Sequence, residues 1–174
     1  MFDPRPSPAL GLSRVLLGLL RVLNLVMGAL VLLALPASFL FEAQFFEFFS
    51  KRPPRIDPSW LLPTLRLWLV LVLPMVAAVH VLLSRLLDVV ETVRHGDPFV
   101  PENAVRLKTI AWCVLATQVL ELGYGAMAAT INAAGSNVEW KFSATGWVAV
   151  VLLFVLARVF EEGTRLRHDL ETMI

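Results

Sequence analysis

The chain has 174 residues, 57% of them hydrophobic and 17% charged, with a formal net charge of +1. Soluble domains carry about a quarter charged residues, so a mean hydropathy of +0.73 excludes an ordinary water-soluble globule. The near-neutral charge gives no reason to expect direct nucleic-acid binding, and a lone cysteine, Cys113, excludes an intrachain disulfide or a paired-cysteine redox centre.

Four apolar stretches run along the chain: 22–41, 67–84, 109–131 and 142–160. Each has, or nearly has, the roughly 20 apolar residues that cross a bilayer as a helix. They predict an all-α protein, a four-transmembrane-helix bundle with short amphipathic cytoplasmic helices. The connecting pieces are too short to fold alone, since independent domains need about 40–60 residues. Residues 1–174 are therefore read as a single membrane domain, with a cytoplasmic elbow at 85–108 and a cytoplasmic tail at 161–174.

The first stretch carries no charge, with Arg21 at its edge. It is longer than the roughly 7–15 apolar residues of a cleaved signal, so a retained helix is expected. Beyond it Phe39, Phe41, Phe45, Phe46, Phe48 and Phe49 crowd around Glu42, Gln44 and Glu47, and Pro53, Pro54 and Pro58 follow. That pattern predicts a short interfacial helix and an extended return. The second stretch is bracketed by Arg66 and Arg85 and contains Pro74, which neighbouring helices can accommodate. Trp60, Trp68, Trp112, Trp140 and Trp147 fall near span ends, as an interfacial aromatic belt would.

Basic residues set the expected orientation. Arg5, Arg14, Arg21, Arg85, Arg94, Arg106, Lys108, Arg158, Arg165 and Arg167 fall on one side; Lys51, Arg52, Arg55, Arg66 and Lys141 fall on the other. The side richer in Lys and Arg is expected to be cytoplasmic, with both termini inside a bacterial inner membrane.

The third stretch holds Glu121 near its middle. A carboxylate there costs about 2.5–3.5 kcal/mol on insertion scales, so it should face other helices and find a partner. Cys113, Thr117, Glu121, Gly125 and Ala129 recur every four residues, with Gln118, Tyr124 and Ala128 alongside. Small and polar residues of this kind favour helix contacts, with Leu115, Val119 and Leu122 turned towards lipid. The candidate intramembrane site is therefore Glu121, Gln118, Thr117 and Tyr124. His80 sits too far down its own span to pair with Glu121. Arg66 is the nearest candidate cation, and a protonated Glu121 is the alternative.

After the second stretch the helix is expected to continue, with Leu86, Leu87, Val90 and Val93 on one face and Asp88, Glu91, Arg94 and His95 on the other. Gly96 is a helix stop, Asp97-Pro98 a turn and Pro101 a helix start. The reading is two short helices about a tight elbow, with Phe99 as an apolar wedge. In the tail, Val159, Phe160, Leu166, Leu170 and Met173 share a helical face. Glu161 and Arg165 are spaced for an i,i+4 pair, and Gly163 is expected to interrupt the helix as Gly96 does.

The elbow, Val89 to Phe99 followed by Pro101-Glu102-Asn103 and Arg106-Leu107, resembles the DUF2975 family of small bacterial membrane proteins. So does the tail Ala157 to Gly163 with Leu166, Asp169-Leu170 and Ile174. Val100 departs from the family pattern, which often has Thr or Ser there. The resemblance implies no established activity. It implies a cytoplasmic helix-turn-helix regulator as a partner, because such genes often neighbour those of the family. The candidate docking elbow is then Gly96, Asp97, Pro98, Phe99, Asn103 and Leu107.

Three functional readings follow. The first is a non-enzymatic regulatory or interaction protein. The second is a small homo-oligomeric ion-coupled transporter using Glu121. The third, an enzyme, is disfavoured: the chain lacks a phosphate loop and a nucleophile elbow, and it has neither paired cysteines nor paired intrahelical histidines. No cofactor is expected.

Overall fold

A computed structural model describes residues 8–51, 58–133 and 138–172. The expectations for Arg5, for the return through Pro53 and Pro54, and for Met173 and Ile174 lie outside the described residues.

The described residues form five helices: α1 (Pro8–Leu40), α2 (Glu42–Lys51), α3 (Pro58–Arg94), α4 (Pro101–Ala133) and α5 (Ala144–Thr172). Four of them are long and apolar enough to cross a membrane. The short α2 falls on the Phe-rich segment. The spans extend well past the apolar stretches read from the sequence. α3 has 37 residues, about 55 Å of helix against a hydrocarbon core of about 30 Å. The amphipathic segments flanking the elbow are thus the projecting ends of α3 and α4. α1 likewise begins well before residue 22. Pro36 lies inside α1, and Pro63 and Pro74 lie inside α3, without ending either helix.

The long helices pack in chain order: α1 against α3, α3 against α4, and α4 against α5. Among the described residues no other pair of long helices comes into backbone contact, so the four spans form an open row. α4, in the interior of the row, is the most buried of them. α1, at one end, exposes Leu12, Val15, Leu19 and Leu33. Such surface suits lipid, because a helix satisfies nearly all of its backbone groups internally.

Specific contacts hold each pair. Asn24 on α1 donates from Nδ2 to the Val76 carbonyl of α3 at 3.0 Å. One turn on, Gly28 lies so close to Val76 that an added Cβ would sit 2.9 Å from Cγ1. Close approach at a small residue beside an interhelical hydrogen bond is how membrane helices associate without a hydrophobic drive. Gly125 of α4 lies under the ring of Trp140, in the connection before α5, and Gly146 of α5 lies against the Gln118 amide. Leu107, Ile110 and Ala157 form a small core near the elbow, joined by Leu82 and Leu86 of α3 and by Leu153 and Phe160 of α5.

Trp68 does not sit as a simple belt residue. Its ring packs edge-on against Tyr124, with centroids 5.4 Å apart, and its Nε1 is buried without a hydrogen-bond partner.

Candidate functional sites

Three polar groupings interrupt the apolar structure: the elbow, a staple at the opposite end, and a cluster mid-way along α4.

The elbow begins with the end of α3. Gly96 adopts φ +83°, a left-handed conformation that costs other residues about 1–2 kcal/mol. The Gly96 N–H bonds to the Val93 carbonyl and the Asp97 N–H to the Thr92 carbonyl, each at 3.1 Å. These are the two bonds of a Schellman cap, which satisfy carbonyls the helix end leaves open. Pro98 then breaks away, and α4 starts at Pro101, where no N–H is needed. The Asn103 N–H reaches back to the Val100 carbonyl at 3.0 Å.

Asn103 ties the two helices together. It is fully buried. Its Nδ2 donates to Thr92 Oγ1 at 2.7 Å and to the Pro98 carbonyl at 2.9 Å. Its Oδ1 accepts from Arg106 at 2.9 Å. The Thr92 hydroxyl in turn donates to the Val89 carbonyl at 2.8 Å. One amide therefore joins the last turn of α3, the loop and the first turns of α4. Leu107, one turn further, belongs to the core.

Phe99 is 44% exposed and lays its ring against the tail. Its ring lies 5.4 Å from that of Phe160, tilted by 34°, and it packs over Gly163. α5 runs unbroken through Gly163, so this glycine does not interrupt the helix; its missing side chain makes room for Phe99. Arg167 and Asp97 form an ion pair across the same junction. The elbow and tail motifs are thus two halves of one contact. Glu161 pairs with Arg158 at 3.1 Å, in place of the expected Arg165.

Beside the elbow is a polar crevice of about 310 Å³, lined by Asp88, Glu91, Thr92, His95, Asp97 and Arg106 among others. Its acidic groups already have cations nearby. Arg85 is 3.5 Å from Asp88, Arg94 is 3.2 Å from Glu91, and Arg14 of α1 is 3.6 Å from Glu91.

At the opposite end, Arg66 of α3 donates to the Ser38 carbonyl at 2.8 Å and to Glu42 at 2.7 Å, and its guanidinium lies 3.8 Å over the Phe39 ring. A cation at the carboxyl end of α1 and a carboxylate in the first turn of α2 both complement their helix dipoles. This staple takes Arg66 away from Glu121. The pairing considered from the sequence is not made, because a nearer carboxylate and an open helix carbonyl hold the guanidinium.

Mid-way along α4, Gln118 donates from Nε2 to Glu121 at 3.3 Å. Thr117 turns its hydroxyl back to the Val114 carbonyl at 2.7 Å. Gln118 Oε1 and Tyr124 Oη are buried without a hydrogen-bond partner. The buried stripe of α4 is rotated from the expected one. It runs through Asn103, Ala111, Gln118, Gly125 and Ala128, while Ala129 is exposed and Thr117, Glu121 and Cys113 are half-buried. Val119 and Leu122 face outward as expected. Among the described residues no three of His, Cys, Asp and Glu converge on a point that could hold a metal.

Asn24, Ser38 and Glu42 carry contacts that the sequence reading did not assign. For Asn24 a signal existed: a lone amide in an apolar run, one turn before a glycine.

Four membrane-capable helices and a locked elbow define a small multi-span membrane protein. The family model described as "Protein of unknown function (DUF2975)" matches residues 48–174. The chain belongs to this family, and both halves of the elbow–tail contact lie inside the matched region. No curated protein and no solved structure matches the chain.

Proposed function

We propose that the protein is a non-enzymatic regulatory or interaction protein of the bacterial inner membrane, with both termini in the cytoplasm. In this reading the elbow end engages a cytoplasmic partner such as a helix-turn-helix regulator. The observation that carries the reading is the preorganised inner platform. Helix ends project beyond the hydrocarbon, and the Asn103 network and the Phe99–Gly163 contact join them. A rigid surface loses little entropy on binding. The crevice of Asp88, Glu91 and His95 offers a polar foothold on that platform. The surplus of Lys and Arg at the elbow end supports the orientation.

The test is capture from native membranes in mild detergent. Asp88→Asn with Glu91→Gln removes the crevice's negative charge without setting a new cation against Arg106, which holds Asn103. A soluble DNA-binding protein recovered with wild type and lost with this variant supports the reading. Recovery unchanged by the variant overturns the crevice as the docking site.

A second reading, an oligomeric ion-coupled carrier, draws on the Gln118–Glu121 pair and its unpartnered polar neighbours. Its test is cation or proton flux in proteoliposomes, where a folded Glu121→Gln protein with wild-type flux would exclude it.

A further inference from the structure

We propose that the groove between α4 and α5 at the elbow end binds one anionic phospholipid, with the phosphate held between Lys108 and Arg158. The groove has a volume of about 480 Å³. Ala104, Ala157 and Phe154 give it apolar walls, and Lys108 and Arg158 stand at its rim from opposite helices.

Depth favours a lipid. Lys108 immediately precedes the apolar stretch 109–131, and Arg158 lies two residues before the end of the stretch 142–160. Both cations therefore sit where hydrocarbon gives way to headgroups, the level of a phospholipid phosphate. On the hydrocarbon side, Trp112 and Phe154 form an edge-to-face pair with centroids 5.4 Å apart. Trp112 is 57% exposed, so it offers an aromatic surface to an acyl chain. Basic pockets between spans recognise acidic headgroups in this manner.

Charge makes the proposal specific. Glu161 also lines the groove, and it partly neutralises Arg158 at 3.1 Å. Arg158 is 74% exposed, so its pair with Glu161 is weak and a phosphate can compete for the guanidinium. The groove keeps a net positive charge through Lys108, and Glu161 limits the affinity. Removing Glu161 should therefore strengthen binding, an outcome that a purely apolar groove would not give.

The experiment is native mass spectrometry of the purified full chain with added phosphatidylglycerol or phosphatidylcholine of matched acyl chains. Wild type should retain phosphatidylglycerol in preference. Lys108→Gln and Arg158→Gln should each lower its retention about fivefold, the effect of one basic side chain at a membrane surface. The double variant should fall to the phosphatidylcholine level. Arg21→Gln, on α1 at the far end of the row from the groove, should change nothing. Glu161→Gln should raise retention, a gain that misfolding cannot imitate. Equal retention of the two lipids by wild type, wild-type retention by the double variant, or displacement by inorganic phosphate would each overturn the proposal.

Discussion

Asn103 and Gln118 are both buried amides on one face of α4, and the structure treats them in opposite ways. Asn103 has partners for its donor and acceptor atoms. Gln118 has a single hydrogen bond, to Glu121 on its own helix, and its carbonyl oxygen has none. A buried, fully bonded amide fixes geometry, whereas a half-bonded one costs stability. The difference separates an end of the molecule built to hold its shape from a mid-helix cluster that leaves buried polar atoms unbonded.

The comparison can be broken most directly at the elbow. Asn103→Leu keeps the volume but strips the hydrogen bonds from Thr92, the Pro98 carbonyl and Arg106. Unsatisfied buried groups cost about 1–3 kcal/mol, so the loss should be roughly 2–3 kcal/mol in unfolding titrations with denaturing detergent. Gly96→Ala forces a side chain into the left-handed region and should cost about 1–2 kcal/mol in the same titration. Phe99→Ala and Gly163→Leu should be coupled. The leucine should be damaging with Phe99 present and much less so with alanine in its place, a coupling of about 1 kcal/mol in a double-mutant cycle. Additive effects would mean that the two residues do not meet. Arg167→Gln should be the mildest change. Its pair with Asp97 is half-exposed and should contribute at most about 0.5 kcal/mol, diminishing further as salt is raised.

Local chemistry was legible in the sequence, and long-range choice was not. Gly96, Pro98 and Pro101 act through their own backbones, so the turn could be placed without a structure. The four spans and the family followed from apolar length and from the elbow motif. The role of Gly163 is hidden in the sequence because the reason for it, Phe99, lies 64 positions earlier in the chain. A glycine that ends a helix and one that admits a neighbour look alike in sequence. Arg66 was offered to Glu121 because depth alone was available. The competing carboxylate, Glu42, stands on α2, beyond the end of the first span. The buried stripe of α4 was set slightly off because a helix flanked on two sides has no single polar face to read. The open row was equally hidden, since lipid-facing and protein-facing surfaces in a membrane are both apolar.

Gln118→Leu, measured beside Asn103→Leu in the same detergent titration, tests the contrast between the two amides most directly. Gln118→Leu removes a buried oxygen that has no partner but also takes the one donor from Glu121, so the two effects largely offset, whereas Asn103→Leu strips three bonded groups. The expected result is a Gln118→Leu protein within about 1 kcal/mol of wild type, with Asn103→Leu weakened by clearly more. Equal destabilisation by the two would contradict the account, because it would make the mid-membrane cluster as structural as the elbow.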